Sequence, residues 1–381
     1  MKAVPMNPTL QKIMQEATSL TRSGKLSEAT ARIQAALSSA GLLPTAVRNS
    51  AGPSGTSPVG AASLDVIDVP AREVADDDTL LANACEKHDR TASPDSSQFI
   101  GGTHATGAMK RDYKLFIPPA AATGAQPTPM PLVVMLHGCT QNPDDFAAGT
   151  AMNELAAQQG FFVLYPAQSR QANPQGCWNW FKHTHQQRGR GEPELIAGMT
   201  RAVMAGYPID ANRVYVAGLS AGGAMAAILG ATYPDLYAAV GVHSGLAASS
   251  ATDLPAALSA MRSGAPAGSG AMQGVPTIVF HGDADSTVHP SNGESVIASA
   301  TGSRSSVETH KVGATGQRGA TRHVHSEQFT GRVLAEHWVV HGSPHAWSGG
   351  TAHGSYTDTR GPDASAEMIR FFLEHPRPPA Q

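Results

Sequence analysis

The sequence predicts an α/β fold in which a mostly parallel sheet is covered by helices on both faces. Between residues 104 and 377, short apolar segments typical of buried strands alternate with segments of helical periodicity. Parallel strands need long crossover connections, and strands buried on both faces are apolar along their whole length. Groups that follow the carboxyl ends of such strands collect at one edge of the sheet, so we expect the functional residues there.

The chain before residue 104 has a different composition and predicts two separate parts. Residues 8–40 carry apolar side chains at helical spacing on either side of the segment RSGKL, which predicts a helical hairpin within residues 1–40. Two short helices cannot bury both apolar stripes alone, so we expect this hairpin to dock on the main domain or to self-associate. Residues 41–103 are rich in Ala, Ser, Gly, Pro and Asp, which is typical of a flexible linker.

The main domain begins with an amphipathic strand at RDYKLFIPP and ends with a helix at SAEMIRFFLEHP. Buried strands are predicted between them in the segments MPLVVMLHG, GFFVLYPAQ, NRVYVAGLS, YAAVGVHSG, VPTIVFHGDAD and VLAEHWVVHG. Helical segments such as ELIAGMTRAVMAG and AGGAMAAILGATYP separate several of these strands. This alternation is the pattern from which the α/β class is predicted.

Composition excludes several classes of partner. The formal net charge is −3 and charged residues make up 15% of the chain, so nothing favours binding to nucleic acid. No apolar run is long enough to span a membrane. The first residues contain no continuous apolar segment of a secretory signal, which predicts a cytoplasmic location, with secretion as the alternative. The three cysteines lack the spacing of a zinc site, so we expect no metal.

The segment GLSAG places Ser220 between a predicted strand and a predicted helix. A strand-to-helix turn this tight requires small neighbours, and it puts the serine at the positive end of the helix. The Ala221 amide then points to where an oxyanion forms during attack by the serine hydroxyl. The alternative is a turn of small residues without chemistry, so the partners of Ser220 must decide between the two.

A serine nucleophile needs a base and a carboxylate that orients the base, and on this scaffold the acid follows the serine in the chain. The strand in TIVFHGDAD ends at His281 and Gly282, and Asp283 and Asp285 follow it. We favour Asp285 as the acid because it lies further past the strand end, where the loop can turn towards a histidine. Asp283 is then expected to cap the turn.

The base should follow the next strand, and EHWVVHGSPHAW offers His337, His341 and His345. His337 lies inside the strand pattern and His341 at its end. We favour His345 because its loop is flanked by glycine and proline, which leaves the imidazole free to reach the serine.

A second oxyanion donor is expected from the loop after an early strand, where LHGCTQ follows the segment MPLVVM. We expect the Cys139 amide to pair with that of Ala221, with the Thr140 amide as the alternative. Cys139 and Cys177 both flank predicted site loops, and the sequence leaves open whether they form a disulfide or two free thiols.

Three tryptophans lie in predicted loops near the candidate site. Trp178 and Trp180 belong to GCWNWF, and Trp347 comes directly after HA in the segment that contains His345. We expect them to form the walls of a substrate pocket, and such walls favour an ester with an aliphatic or aromatic acyl group.

Residues 110–375 resemble the polyhydroxybutyrate depolymerase family of esterases, whose relatives include feruloyl and acetylxylan esterases. The resemblance depends on the segments LHGCTQ, GCWNWF, YPIDANRVYVAGLSAGGAM, VFHGDADSTVHP and GSPHAWSGG. It implies an α/β-hydrolase fold, a triad of Ser220, Asp285 and His345, and an oxyanion donor at Cys139.

The same resemblance implies hydrolysis of poly- or oligo(3-hydroxybutyrate)-type esters through an acyl-enzyme, a reaction for which we expect no cofactor. The alternative within this class is release of feruloyl or acetyl groups from plant polysaccharide. The alternative from another class is a non-catalytic binding protein in which the α/β domain serves as a scaffold.

Overall fold

A ten-stranded mixed sheet is the framework that holds the candidate site. The computed structural model describes residues 98–121, 128–265, 272, 274–302, 305–313 and 316–378. The hairpin predicted within residues 1–40 and most of the predicted linker therefore lie outside the described residues. The strands of the sheet are β1 Gln98–Thr106, β2 Met109–Ile117, β3 Met130–Leu136, β4 Phe162–Pro166, β5 Ile209–Leu219, β6 Ala239–His243, β7 Thr277–Gly282, β8 Ser305–Val312, β9 Ala320–Glu327 and β10 Val333–Val340. A separate small sheet consists of β11 Trp347–Ser348 and β12 Thr357–Asp358.

Six neighbouring strands in the centre of the large sheet run parallel to one another. The spatial order is β1-β2-β4-β3-β5-β6-β7-β10-β9-β8, and every neighbouring pair from β4 to β10 is parallel. Antiparallel pairs add β2 and β1 on one side and β9 and β8 on the other. The carboxyl ends of β3, β5, β7 and β10 share one edge, so the loops that follow them meet there. The predicted α/β architecture is confirmed.

Helices cover both faces of this sheet. They are α1 Pro143–Thr150, α2 Met152–Gln159, α3 Gly191–Gly206, α4 Ala221–Thr232, α5 Leu254–Ser263, α6 Ser291–Thr301 and α7 Ala364–Glu374, with short 3-10 turns at Pro119–Ala121 and His183–Gln186. Alternate residues of β3 enter two different cores. Val134 and Leu136 pack in the core that includes α3 and α4, whereas Val133 and Met135 pack in the core that includes α1 and α7. This two-sided burial explains why the central strands are continuously apolar.

Two parts of the sheet differ from the sequence prediction. Residues 98–103, predicted as the end of the linker, belong to β1, which pairs with β2 along its whole length. The hairpin of β8 and β9 was missed because its residues are mostly polar and none of them but Ala320 is fully buried. Strands at the edge of a sheet lack the apolar run by which buried strands are recognised.

The turn from β5 into α4 is possible only with glycine at two positions. A Cβ atom on Gly218 would lie 2.4 Å from the backbone carbon of Gly222, and a Cβ on Gly222 would lie 2.0 Å from the carbonyl oxygen of Leu136. Both contacts are with backbone, which cannot rotate away. The start of α4 therefore touches the end of β3, and the residue between the glycines is held at the carboxyl edge of the sheet.

We predict that Gly222→Ala lowers the free energy of unfolding by about 3 kcal/mol or more, because the added methyl overlaps backbone atoms of β3. Gly206→Ala in α3 is the matched control, since a Cβ there meets no atom within 4 Å. The control should leave stability unchanged or raise it by up to about 1 kcal/mol. Urea unfolding measures both variants, and equal midpoints would contradict the close approach of α4 to β3.

Candidate active site

Ser220 occupies a strained turn between β5 and α4. Its backbone has φ 58° and ψ −118°, a conformation that non-glycine residues rarely adopt. Its amide donates to the carbonyl oxygen of His243 at 2.8 Å, which fixes the turn against the end of β6. Strain of this kind is the property of a nucleophile turn that exposes a serine hydroxyl at the top of a sheet.

Asp285 and His345 form a hydrogen-bonded pair in the loops that follow β7 and β10. The Nδ1 atom of His345 lies 2.7 Å from the Oδ2 atom of Asp285. The other carboxylate oxygen accepts the amides of Thr287 and Val288, each at 2.9 Å. The Asp285 side chain has no exposed surface and that of His345 is 12% exposed. Backbone amides thus fix the Asp285 carboxylate through Oδ1, and its Oδ2 atom orients the His345 imidazole.

The ionisation of Asp285 follows from these contacts. Burial is the largest influence and by itself raises the pKa of Asp285. Hydrogen bonds from His281 and His345, the charge of His345 and the Val288 amide together outweigh it and hold the pKa well below its usual range. The Nε2 atom of His281 lies 3.4 Å from Asp285 Oδ2 and also contacts the carbonyl oxygen of Val288 at 2.9 Å. These contacts therefore favour the ionised form of Asp285.

The rival residues from the sequence analysis pair with each other. The Nδ1 atom of His341 lies 2.9 Å from Asp283, and its Nε2 atom lies 2.9 Å from the Thr321 hydroxyl, so both nitrogens are occupied. This pair is about half exposed, unlike that of Asp285 and His345. His337 lies within β10, and burial together with neighbouring histidines lowers its pKa to about 3. Asp283 also accepts the Gly342 amide, which agrees with its expected role in capping a turn.

A buried histidine that the sequence analysis missed connects Ser220 to the loop of His345. The carbonyl oxygen of His243 accepts the Ser220 amide, and its Nε2 atom accepts the Ser348 amide at 2.9 Å. Burial lowers the pKa of His243 well below its ordinary value, and the charges of His281 and His345 lower it further. In the sequence, the only signal was a histidine at the end of the apolar segment AAVGVH.

The structure thus brings Asp285 and His345 into contact, and one residue, His243, connects the loop of His345 to Ser220. Among the described residues, the Ser220 hydroxyl makes no hydrogen bond to His345, so the pairing of these two groups stays a prediction. Hydrogen bonds between catalytic groups often tighten only in the complex with substrate.

Two backbone amides near Ser220 are available for an oxyanion. We call residues 137–141 the oxyanion loop. Within it, the Gly138 amide donates to the side chain of Gln141 at 2.9 Å and the Thr140 amide donates to the carbonyl oxygen of Gln175 at 2.8 Å. In the described part of the chain, the amides of Cys139 and Ala221 have no acceptor. These are the two predicted donors, and the Thr140 amide cannot serve as the alternative.

A second loop, residues 172–181, holds the oxyanion loop in place, and we call it the tryptophan loop. A disulfide joins Cys139 to Cys177, which settles the question that the sequence left open. The indole N–H of Trp178 donates to the carbonyl oxygen of His137 at 3.1 Å. Nε2 of His137 accepts the Gln168 amide at 3.1 Å, and its Nδ1 lies 2.8 Å from the Gly138 carbonyl oxygen. The oxyanion loop is therefore fixed on both sides of Cys139.

The predicted role of the three tryptophans as substrate walls is wrong in this structure, because all three are core residues. Trp178 and Trp347 are 0% and 1% exposed, and Trp180 is 4% exposed. The indole of Trp347 stacks on His243 and donates to the hydroxyl of Ser365. Their sequence neighbours are loop residues, but the indole rings pack in the two hydrophobic cores.

A buried carboxylate, Glu192 at the start of α3, organises the tryptophan loop. It accepts the backbone and side-chain amides of Asn179, each at 2.7 Å, and the side-chain amide of Gln168 at 2.6 Å. Burial is the largest influence and raises the pKa of Glu192, but hydrogen bonds from His185, Gln168 and Asn179 outweigh it, so the pKa is lowered. Gln168 also contacts Cys177 and His137, so this network reaches both loops.

The described ranges contain neither a cluster typical of a metal site nor a helix typical of a membrane span. No group of three or more His, Cys, Asp or Glu side chains there has the arrangement of a metal site. None of the helices described between residues 98 and 378 combines the length and the apolar character of a membrane span.

Comparisons with known proteins find several esterases similar to this chain. A family described as "Esterase PHB depolymerase" matches residues 111–324. Poly(3-hydroxyalkanoate) depolymerase C of Paucimonas lemoignei is 34% identical over 232 residues, which are 58% of this chain and 55% of that protein. Acetylxylan esterase A of Talaromyces purpureogenus is 29% identical over 212 residues, 50% of this chain and 52% of that protein. Feruloyl esterase B of Neurospora crassa is 36% identical over 117 residues, 30% of this chain and 39% of that protein.

The chain thus spans about half the length, or less, of these curated relatives. Among solved structures, an acetyl xylan esterase from Aspergillus awamori matches with a TM-score of 0.56 and 20% identity, over 73% of this chain and 99% of that one. At this identity the match shows the shared α/β-hydrolase fold.

We predict that Glu192→Gln destabilises the protein by about 1–3 kcal/mol at pH 7. The Glu192 carboxylate accepts hydrogen bonds from three N–H groups, whereas the NH2 group of glutamine would face such donors without an acceptor. The pKa of Glu192 is lower in the folded protein than in the unfolded chain, where it is about 4.3. The ionised side chain therefore stabilises the fold above about pH 4.3, and this stabilisation is lost as the pH falls through the native pKa. The variant should therefore lose stability less steeply than wild type below about pH 5.

Urea unfolding at several pH values measures this effect. Glu308→Gln is the matched control, because the Glu308 side chain is 76% exposed. If both variants follow the wild-type pH profile, the buried network does not depend on the charge of Glu192.

Proposed function

Because this chain belongs to the PHB depolymerase family of esterases, we propose that it hydrolyses carboxylic esters with Ser220 as nucleophile. The observation on which this proposal depends most is the buried hydrogen bond between Asp285 and His345 at the sheet edge where Ser220 stands in its strained turn. Family membership by itself identifies an esterase, while the assignment of each residue to a step is our own.

The first step is attack on the ester. His345 accepts the proton of the Ser220 hydroxyl as the oxygen bonds to the carbonyl carbon, and Asp285 stabilises the imidazolium that forms. The carbonyl oxygen becomes an oxyanion and accepts the amides of Cys139 and Ala221. Loss of one such donor typically costs about 2.7–4 kcal/mol of transition-state stabilisation. His345 then gives its proton to the leaving alcohol, and an acyl-Ser220 remains.

The second step returns the enzyme to its starting state. A water molecule gives a proton to His345 and attacks the acyl carbon, and the same two amides hold the second oxyanion. The acid leaves as Ser220 regains its proton from His345. The proposed steps use only groups of this chain and water.

We propose oligo- or poly(3-hydroxybutyrate)-type esters as the substrate class. Support comes from the family and from the depolymerase relative, which shares 34% identity over more than half of this chain. The second candidate is an acylated polysaccharide, because an acetylxylan esterase and a feruloyl esterase are also similar to this chain. Turnover of soluble 3-hydroxybutyrate oligomers, compared with that of acetylated xylan and methyl ferulate, distinguishes the two.

The disulfide between Cys139 and Cys177 bears on the compartment. Structural disulfides persist in oxidising environments and are rare in the cytosol. The disulfide therefore favours the secreted alternative over the cytoplasmic location predicted from the N-terminal residues. Alkylation of the protein in intact cells, followed by mass spectrometry, measures the redox state of the two cysteines directly.

We predict that Ser220→Ala and Asp285→Asn lower kcat by about 10⁴-fold or more, since the first removes the nucleophile and the second removes the group that orients His345. Asp283→Asn is the matched control for the second variant, because Asp283 lies in the same loop but orients His341. Activity of the control should stay within about threefold of wild type.

Initial rates with p-nitrophenyl butyrate and circular dichroism of each variant test this prediction. An equal loss of kcat in Asp285→Asn and Asp283→Asn would show that Asp285 alone is not the acid. Full activity of Ser220→Ala would mean that another residue is the nucleophile, whereas absence of turnover by the wild-type protein would favour a non-catalytic binder.

A further inference from the structure

The site needs an apolar surface for the acyl chain, and the three tryptophans do not supply one because they are buried. Within the described ranges, large hydrophobic residues that are exposed include Leu254, Leu258, Phe329 and Tyr356. Of these four, Tyr356 contacts the oxyanion loop. Tyr356 is therefore an exposed aromatic residue beside the loop that contains Cys139.

The backbone of Tyr356 is tied to the loop of His345. The chain leaves His345, forms β11 and returns through Tyr356 into β12, which pairs with β11 in parallel. The carbonyl oxygen of Tyr356 accepts the amide of Trp347 at 2.7 Å. Tyr356 has φ 53°, a left-handed conformation that is uncommon for a residue with a large side chain. The fold thus maintains a strained residue directly before β12, whose partner strand β11 begins two residues after His345.

The hydroxyl of Tyr356 reaches the oxyanion loop. It lies 3.2 Å from the Thr140 hydroxyl, which itself donates to the carbonyl oxygen of Cys139 at 2.6 Å, so Tyr356 is the donor. The preceding residue, Ser355, accepts the side-chain amide of Gln141 at 3.0 Å through its carbonyl oxygen. Two adjacent residues therefore dock on the loop that contains the oxyanion donor Cys139.

Tyr356 thus extends from the loop of the proposed base to the loop of the proposed oxyanion donor. In the proposed reaction, the oxyanion of the ester accepts the Cys139 amide of this loop, and 48% of the Tyr356 residue surface is exposed. An aromatic ring offers a large apolar face at a small entropic cost, and its hydroxyl is already satisfied by Thr140.

From this juxtaposition, and given the esterase activity of the preceding section, we propose that Tyr356 is the specificity-determining wall of the substrate site. Its ring packs against the alkyl part of the acyl group, which favours short-chain aliphatic and hydroxyalkanoyl esters over acetyl esters. The hydroxyl serves to hold the ring in place. Each methylene that the ring covers raises kcat/KM, and a fully buried methylene would raise it by about fourfold.

The test compares kcat/KM for p-nitrophenyl acetate, butyrate and hexanoate. Tyr356→Ala should reduce the preference for butyrate over acetate by about tenfold, mainly through KM, because two methylenes lose their contact with the ring. Tyr356→Phe keeps the ring and should change the preference by less than about twofold. Phe329→Ala is the matched control, since Phe329 is an aromatic residue with 88% exposure in the turn between β9 and β10.

Two outcomes would overturn the proposal. In one, Tyr356→Ala leaves the preference unchanged. In the other, it lowers kcat equally for all three esters without raising KM, which is the result expected if Tyr356 only supports the oxyanion loop.

A binding measurement separates this inference from the proposed reaction. In the Ser220→Ala background, Tyr356→Ala should weaken the binding of a soluble 3-hydroxybutyrate trimer by about tenfold in calorimetry, whether or not Ser220 is the nucleophile. Equal affinities of Ser220→Ala and of the Ser220→Ala, Tyr356→Ala double variant would overturn the role of Tyr356. Persistent turnover in Ser220→Ala would contradict only the proposed reaction.

Discussion

The close approach of α4 to the end of β3 is the constraint on which the candidate site depends. Helix α4 begins within contact distance of the Leu136 carbonyl, and Gly222 leaves room for it. Ser220 therefore takes a positive φ, and the Ala221 amide is left at the first position of the helix, where no intrahelical acceptor exists. One backbone contact thus determines the positions of both Ser220 and the Ala221 amide, the proposed oxyanion donor.

Separate supports hold the other groups of the proposed site. The Asp285 carboxylate is fixed by two amides of its own loop, so its orientation does not depend on His345. The oxyanion loop is held by a disulfide, an indole and a buried histidine, and these lead back to the Glu192 network. Rigid support of this kind reduces the reorganisation that a developing charge would otherwise require.

The parts of the site that could be predicted from sequence are those determined by strand ends. Asp285 and His345 follow buried parallel strands at a suitable distance, and the structure joins them. Burial of particular side chains could not be predicted in the same way. Trp178 and Trp347 lie in loop-like segments rich in glycine and proline, and only the tertiary structure shows that their rings turn into the two cores.

The same limit explains the other differences. His243 supports Ser220 through a backbone carbonyl, which has no sequence signature, and Tyr356 lies beyond the motif that contains His345. Strands β8 and β9, the last two at one end of the sheet, are mostly polar, so periodicity did not separate them from loops. Local patterns therefore predicted the fold and the contact between Asp285 and His345, while side chains whose contacts are long-range required the structure.

The most direct measurement of the central claim is a crystal structure of the protein after reaction with a p-nitrophenyl alkylphosphonate, which mimics the tetrahedral intermediate. Our account predicts phosphorus bonded to the Ser220 oxygen, with one phosphonyl oxygen about 3 Å from the amides of Cys139 and Ala221. It also predicts the His345 Nε2 atom within hydrogen-bonding distance of the Ser220 oxygen. An adduct on another residue, or a phosphonyl oxygen turned away from both amides, would contradict the account.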